Sequence, residues 1–346
     1  MKHVVVRGEP KPGHRQEAIR IMAGGGVVLL PCGENYLLVS RSEDRLAPFG
    51  YSLRQRLVRD RAEFDALLAA PSMDIRRLAD AFLPGDLTLV VGTEHDRTGV
   101  MMPRTGFLAG LLSESAEPLH FQEVLDCDSG QDLQDAYRDR VDLWLDAGGV
   151  RLTPSTLLDV TGRRPIMNRK GAIPILDIER VLGDRLKLGP AVVFAVLFVC
   201  TGNTCRSAMA RGILEQRLRG QRALVYSAGT NTVAGMPASE GATQVMRENG
   251  IDLSRHSSTP LTASQVRDAD LILCMEPRHR RRVLELVPEA ESRTFLQMDY
   301  CGHAESVEVF DPVGSSLEVF REVAKIIAEC LEKVAQDIEW RLAPEQ

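Results

Sequence analysis

Lysine, aromatic side chains and long apolar runs are what this 346-residue chain has least of. Of its 42 basic residues 36 are Arg, a bias that codon usage produces as readily as phosphate clamping does. The longest apolar run, Ala191 to Cys200, is half the length a membrane span requires. The N-terminus, MKHVVVRGEPKPGHRQE, lacks the charged-then-apolar order of a secretory signal, so a cytoplasmic protein with no membrane partner is expected. The seven cysteines, at 32, 127, 200, 205, 274, 301 and 330, are odd in number and have no C-x-x-C spacing. That pattern excludes a disulfide framework and a zinc site, and predicts reduced thiols. A net charge of −6 and a pI near 5.7 leave no general basic field for nucleic acid or anionic lipid. What is present, 44% hydrophobic and 26% charged residues, is an ordinary globular composition, and the length implies two domains.

The first half reads as mixed α/β. Helical periodicity covers Gln16 to Gly24, Ala62 to Leu68, Ile75 to Phe82 and Leu133 to Leu145; apolar strands are predicted at Val27 to Leu30, Tyr36 to Ser40, Leu87 to Val91 and Thr156 to Val160. The stretch LGDRLKLGP, Leu182 to Pro190, mixes Gly, Pro and charge as a domain boundary does, which divides the chain into 1–188 and 189–346. Beyond it, strands at Val192 to Val199, Ala223 to Ser227, Ala269 to Met275 and Arg293 to Gln297 alternate with helices. These helices are Ser207 to Leu218, one opened by Pro237 and closed by Gly250, Arg278 to Leu286, and Ser315 to Trp340. Such alternation predicts a parallel sheet covered on both faces, with ligands at the carboxyl ends of its strands.

A C-x5-R pattern starts at Cys200, at Cys205 and at Cys274. A phosphate cradle needs successive N–H groups turned inward at the end of a strand, above a helix N-terminus. The Cys274 loop contains Glu276, which repels phosphate, and Pro277, which has no N–H. The Cys205 pattern runs through RSAMAR, whose N–H groups belong to a helix. Cys200 ends an apolar strand and precedes Thr201, Gly202, Asn203, Thr204, Cys205, Arg206 and Ser207, the last an N-cap residue type. Gly202 and Asn203 tolerate the left-handed backbone such a loop demands. The N–H ring, the helix dipole and Arg206 all favour the Cys200 thiolate, and Ser207 can hydrogen-bond it. Arg206 offers a planar fork to two phosphoryl oxygens. Expulsion of a poor leaving group needs a proton donor opposite the sulfur, and Asp311, stiffened by Pro312 in a loop between the last strand and last helix, is the candidate.

VLFVCTGNTCRSAMA, then SAG at 227–229, ADLILCM at 269–275 and DPVG at 311–314 together resemble the low-molecular-weight protein phosphatase family over about 155 residues. The resemblance implies Cys200 as nucleophile forming a phosphocysteine, Arg206 as phosphoryl clamp, Asp311 as acid then base, and Cys205 as a thiol able to protect Cys200 by a disulfide. It implies a phosphorylated protein as substrate and neither metal nor cofactor. Members acting on phosphotyrosine carry aromatic walls beside the Asp-Pro pair, where this chain has Val313, Gly314 and Ser315. TGNTCRS, with Thr204, resembles the protein-arginine phosphatase branch, so phosphoarginine is expected ahead of phosphotyrosine. Arsenate reductases share the loop but need further relay cysteines, and Cys274 is expected to be buried in a strand. The run Arg278 to Arg282 reads as a solvated helix face or as an attractor of acidic phosphoproteins, and the His residues have no metal-ligand spacing.

GGGVVLLP, FLPGDLTLVV, VMMPR, PSTLLDVTG and NRKGAI, in this order across residues 24–173, resemble the YrdC-type domain of threonylcarbamoyl-AMP synthases. That family binds ATP, threonine and bicarbonate, and some members bind RNA. The departures fall on its chemistry. Cys32, Gly33 and Glu34 replace a Thr-acid-Thr turn, the Lys-x-Arg pair is absent from Arg45 to Arg56, Met101 replaces an Arg, and His120, Phe121 and Gln122 replace a Ser-x-Asn signature. Synthase activity is therefore not expected. Arg169, Lys170, Gly171, Ser155 and Thr156 leave a nucleotide, RNA or another anion open as partner. Two other readings stay open, a bifunctional enzyme that retains synthase activity and a phosphoprotein-binding adaptor. The adaptor conflicts with the presence of both a nucleophile and a proton donor.

Overall fold

Continuous apolar runs such as VVLL and YLLV form strands covered on both faces, because successive side chains of a strand point to opposite sides. The computed structural model describes residues 2–6, 10–33, 35–50, 53–68, 71–93, 95–104, 106–125, 127, 130–148, 153–302 and 308–344; Glu34 lies outside them. The chain divides into two compact units, Met1–Gly189 and Pro190–Gln346.

The first unit holds one mixed sheet. Its strands are β1 (Lys2–Val5), β2 (Val28–Cys32), β3 (Asn35–Ser40), β4 (Arg54–Leu57), β5 (Leu87–Thr93), β6 (Asp96–Met101), β7 (Leu119–Glu123), β8 (Leu143–Asp146), β9 (Thr156–Asp159), β10 (Ile166–Arg169) and β11 (Lys187–Leu188). Their order is β1-β8-β2-β3-β7-β4-β6-β5-β9-β10-β11. The helices are α1 (Pro12–Ala23), α2 (Arg61–Ala66), α3 (Met73–Phe82), α4 (Phe107–Glu114), α5 (Gly130–Tyr137) and α6 (Ile175–Leu182). Val28, Leu30, Leu37 and Val39 pack on one face with Ala18, Met22, Leu108 and Leu111, while Val27, Leu29, Tyr36 and Leu38 pack on the other with Leu133 and Trp144. The helix expected over Leu133 to Leu145 is corrected. α5 stops at Tyr137, and Leu143–Asp146 is a strand that pairs in parallel with both β1 and β2. The LWL sequence suits a buried strand, and the charged Arg138, Asp139 and Arg140 interrupt the helical pattern.

The second unit has four parallel strands, β12 (Phe194–Cys200), β13 (Ala223–Gly229), β14 (Leu271–Cys274) and β15 (Thr294–Leu296), in the order β13-β12-β14-β15. The helices are α7 (Arg206–Arg217), α8 (Glu240–Glu248), α9 (Ala263–Asp268), α10 (Pro277–Leu286), α11 (Gln297–Cys301) and α12 (Leu317–Leu342). The chain leaves β12 towards β13, then returns past it to β14, so the order reverses at β12 and a crevice forms at the carboxyl ends of β12 and β14. α12 buries Phe320, Val323, Ala324, Ile327, Leu331, Val334, Ala335 and Ile338 at helical spacing and packs on α7. α8 opens at Glu240, capped by the Ser239 hydroxyl accepting from Ala242 N, and not at Pro237.

The expectation that all thiols are reduced is also corrected. Cys301, the last residue of α11, is disulfide-bonded to Cys330 of α12, with Cα atoms 5.3 Å apart. A separation of 29 residues carries no sequence signal, and the pair is brought together only by α11 packing on α12. Cys32, Cys200, Cys205 and Cys274 take part in no disulfide.

Candidate active site

The loop Cys200–Ser207 leaves the carboxyl end of β12 at the reversal point. Its carbonyls face outward. Cys200 O accepts from Thr230 N at 2.9 Å, Thr201 O from Asn231 N at 3.0 Å, and Thr204 O from Ser239 N at 2.9 Å. Asn203 O lies 2.6 Å from His256 Nε2, which must be the donor in that pair. In a trans peptide the N–H points opposite to the C=O, so the N–H groups of Thr201, Gly202, Thr204 and Cys205 turn inward around the Cys200 sulfur. Gly229, paired with Cys200, presses on the loop. A Cβ there would stand 2.7 Å from Thr201 O. Asn203 alone takes the left-handed conformation, with φ 53°, whereas Gly202 does not, so the strain foreseen for both residues falls on one.

Fully buried Asn203 orders the Cys200 sulfur through a directional chain. Thr259 N–H donates to Asn203 Oδ1 at 2.9 Å, which fixes the amide so that Nδ2 donates to Ser207 Oγ at 2.9 Å. The Ser207 proton is then left to donate to Cys200 Sγ, 2.9 Å away, and Asn203 N–H donates to the same sulfur at 3.2 Å. Two donors thus converge on one sulfur. Ser207 is therefore not the helix cap expected from sequence. α7 begins at Arg206 with Cys205 as its N-cap, and the serine hydroxyl serves the thiol. Cys205 is buried, its Sγ 3.2 Å from Ser239 Oγ and 3.7 Å from Thr204 Oγ1, and burial raises its thiol above the ordinary range.

Arg206, 2% exposed, donates from Nη2 to Asp311 Oδ2 at 2.5 Å, and from Nη1 to Glu276 Oε1 at 2.6 Å and Val309 O at 2.9 Å. Cys200, Arg206 and Asp311, 111 positions apart at their extremes, thus meet at one end of the sheet. In the sequence Glu276 counts only against the Cys274 loop, yet in the structure it is part of this cluster. Burial pushes its carboxyl up, but hydrogen bonds from Arg278 and Arg206 outweigh that and hold it below the usual glutamate range. The physical reason is register. β14 lies beside β12, with Met275 N bonded to Val199 O, so the residue after Met275 reaches Arg206. Cys274 itself is buried in β14, and burial pushes its thiol up to about 12. In the basic run, Arg278 pairs with Glu276, Arg280 with Glu291 and Arg282 with Glu285, while His279 is buried. Among the described residues no group of three or more His, Cys, Asp or Glu is placed to hold a metal, and no helix is long and apolar enough to cross a membrane.

In the first unit the residues of interest form a different cluster. Glu123, its side chain 1% exposed, forms an ion pair with Arg169 and accepts from Ser155 N at 2.7 Å and Ser155 Oγ at 3.1 Å. Thr88 Oγ1 lies 2.6 Å from Ser155 Oγ, and Arg169 also bonds Ser155 O. Burial lowers the Arg169 guanidinium to about 10. Gly171 permits the close approach, since a Cβ there would stand 2.3 Å from Pro154 O. Cys32 and Gly33 line a separate cavity of about 810 Å³ with Asp86, Arg104 and Phe107. Met101, Phe121 and His120 lie in β6 and β7, with His120 Nδ1 3.3 Å from Glu43.

The geometry is that of a strand-end cysteine in a loop whose carbonyls point outward, with a buried arginine bonded to an aspartate beside it. A family model described as low molecular weight phosphotyrosine protein phosphatase matches residues 195–342. The low molecular weight protein-tyrosine-phosphatase Etp of Escherichia coli is 35% identical over 149 residues, 43% of this chain and 95% of that protein. The protein-arginine-phosphatase of Geobacillus stearothermophilus is 33% identical over 147 residues, 42% of this chain and 97% of that protein. A solved structure, the YwlE arginine phosphatase from Geobacillus stearothermophilus, is 31% identical and aligns with a TM-score of 0.41 over 44% of this chain and 99% of that one. The chain belongs to the low molecular weight protein phosphatase family, and is a protein phosphatase by that membership.

Proposed function

We propose that residues 189–346 form a metal-free protein phosphatase working through a phosphocysteine on Cys200, with phosphoarginine preferred over phosphotyrosine. Arg206 and the inward N–H groups of the loop hold the phosphoryl oxygens. The Cys200 thiolate attacks phosphorus, the bond from phosphorus to the leaving group breaks, and Asp311 gives that group its proton. Asp311, now a carboxylate, takes a proton from water. The resulting hydroxide displaces Cys200 from phosphorus, releasing phosphate and restoring the thiolate. The observation that carries this reading is the convergence on Cys200 Sγ of Asn203 N–H and the Ser207 hydroxyl, beside an Arg206 bonded to Asp311.

Val313, Gly314 and Ser315 provide no aromatic wall for a phenol ring, and Val313 is exposed. Thr204, in the loop wall, and the relative named protein-arginine-phosphatase support the same preference. The arsenate reductase alternative is disfavoured because Cys274, buried with its thiol pushed to about 12, is a poor relay. Residues 1–188 are proposed as a YrdC-like module without synthase activity. Glu123 already neutralises Arg169 and occupies the Ser155 donors, so an incoming triphosphate finds that cation spent. The same pair weighs against a nucleotide or RNA at Arg169 and against the bifunctional reading.

The test is phosphate release by the wild type and Cys200→Ser from p-nitrophenyl phosphate, a phosphoarginine protein and a phosphotyrosine peptide, with EDTA present. Turnover that the substitution abolishes, fastest on phosphoarginine, is the expected result. No turnover by the wild type on any of the three refutes the reading and restores the phosphoprotein-binding adaptor.

A further inference from the structure

We infer that His279 is a positioning residue of the phosphate loop, holding the Thr201 hydroxyl and with it the first peptide after the nucleophile. The inference rests on the reading of Cys200 as nucleophile. His279 stands in the first turn of α10, 0% exposed, with Nε2 2.9 Å from Thr201 Oγ1 across 78 residues of sequence. The bond joins the loops that follow the adjacent parallel strands β12 and β14.

The tautomer follows from the other ring nitrogen. Nδ1 is buried with no hydrogen-bond partner among the described residues. A buried donor left without an acceptor is costlier than an acceptor left without a donor, so the proton belongs on Nε2 and is donated to Thr201 Oγ1. Thr201 therefore acts as acceptor towards His279, and its own proton remains available to a third group. Burial, with Arg206 and Arg278 nearby, brings the imidazole to about 4 against the pull of Glu276 and Asp311, so the ring is neutral at working pH and the bond does not switch. Glu276 Oε1, the carboxylate that accepts from Arg206, lies 3.8 Å from the same Nε2. One imidazole is thus placed between the residue that follows the nucleophile and the residue that braces the phosphoryl clamp. A self-contained core histidine would have no reason to spend its single donor on the loop.

The experiment compares full-length wild type with His279→Ala, Thr201→Val, the double variant and His279→Gln. Three quantities are read: peptide-resolved alkylation of Cys200 by iodoacetamide at neutral pH, kcat and KM on p-nitrophenyl phosphate, and the thermal midpoint. Each single variant is expected to slow alkylation and kcat about tenfold, the fold-change of about 1.4 kcal/mol. The double variant should be no slower than either single one. His279→Gln, whose amide N–H can reach Thr201, should recover most of the loss. A folded His279→Ala that alkylates and turns over like the wild type overturns the inference, as do losses that multiply in the double variant. Where His279→Ala does not fold, Thr201→Val removes the same bond while keeping the side-chain shape, and its alkylation rate decides. Absence of turnover by the wild type would count against the phosphatase reading alone, because alkylation reports on the loop independently.

Discussion

Arg206 gives one side of its fork, Nη2, to Asp311 Oδ2 at 2.5 Å, so a phosphoryl group that uses this side must displace the carboxylate. Asp311→Asn removes the charge while keeping the shape. A hydrogen bond between charged partners is worth roughly 1.5–3 kcal/mol net. The Asp311 side chain is 37% exposed, which places this one at the low end, about 1.5 kcal/mol. Repulsion between the carboxylate and an incoming phosphate has the same sign. Inorganic phosphate should therefore bind Asp311→Asn about tenfold more tightly than the wild type. Turnover should fall by about 10² to 10⁴, the contribution of a positioned proton donor. Calorimetric titration with phosphate at pH 7 and fixed ionic strength measures the first effect, and steady-state hydrolysis measures the second. Unchanged or weaker phosphate binding in the variant would refute the idea that Asp311 competes for Arg206.

Two further outcomes concern stability. The His279 imidazole, depressed by burial to about 4 in the folded protein against about 6.5 unfolded, leaves the folded state with fewer bound protons between those values. Stability is therefore full above about pH 6.5 and falls as the pH drops towards 4, on the order of 3 kcal/mol in all. Glu276, held below the usual carboxyl range, continues the decline in stronger acid. Urea midpoints from pH 7 to pH 4 should drop less in His279→Gln than in the wild type, and parallel profiles would contradict the assignment. In the first unit, Glu123→Ala leaves Arg169 buried without its counter-charge and should cost about 3 kcal/mol, read as a lower denaturation midpoint of that unit. A midpoint within about 0.5 kcal/mol of the wild type would mean that the pair is not structural.

Cys200, Arg206 and Asp311, the proposed nucleophile, clamp and acid, stand out in sequence because two of them share one short loop and the third sits beside a proline. Cys200 ends an apolar strand, Arg206 lies six residues on, and Asp311-Pro312 marks a rigid turn. Glu276 and His279 were legible only as reasons against another cysteine and against a metal. Their roles come from β14 lying beside β12, an adjacency that no local pattern encodes. Leu143 to Leu145 failed in the same way. Three apolar residues after a helix suit helix or strand, and parallel pairing with β1 and β2 makes them a strand.

Sequence alone determined the α/β character of the two units and the strand-loop-helix that carries Cys200, because each depends on neighbours within a few residues. Tertiary structure alone decided which hydroxyl serves the thiol, which carboxylates hold Arg206, that Cys301 meets Cys330, and that Glu123 neutralises Arg169. Those outcomes depend on which strands and helices pack side by side, and distance along the chain says nothing about that until the sheet has closed its order.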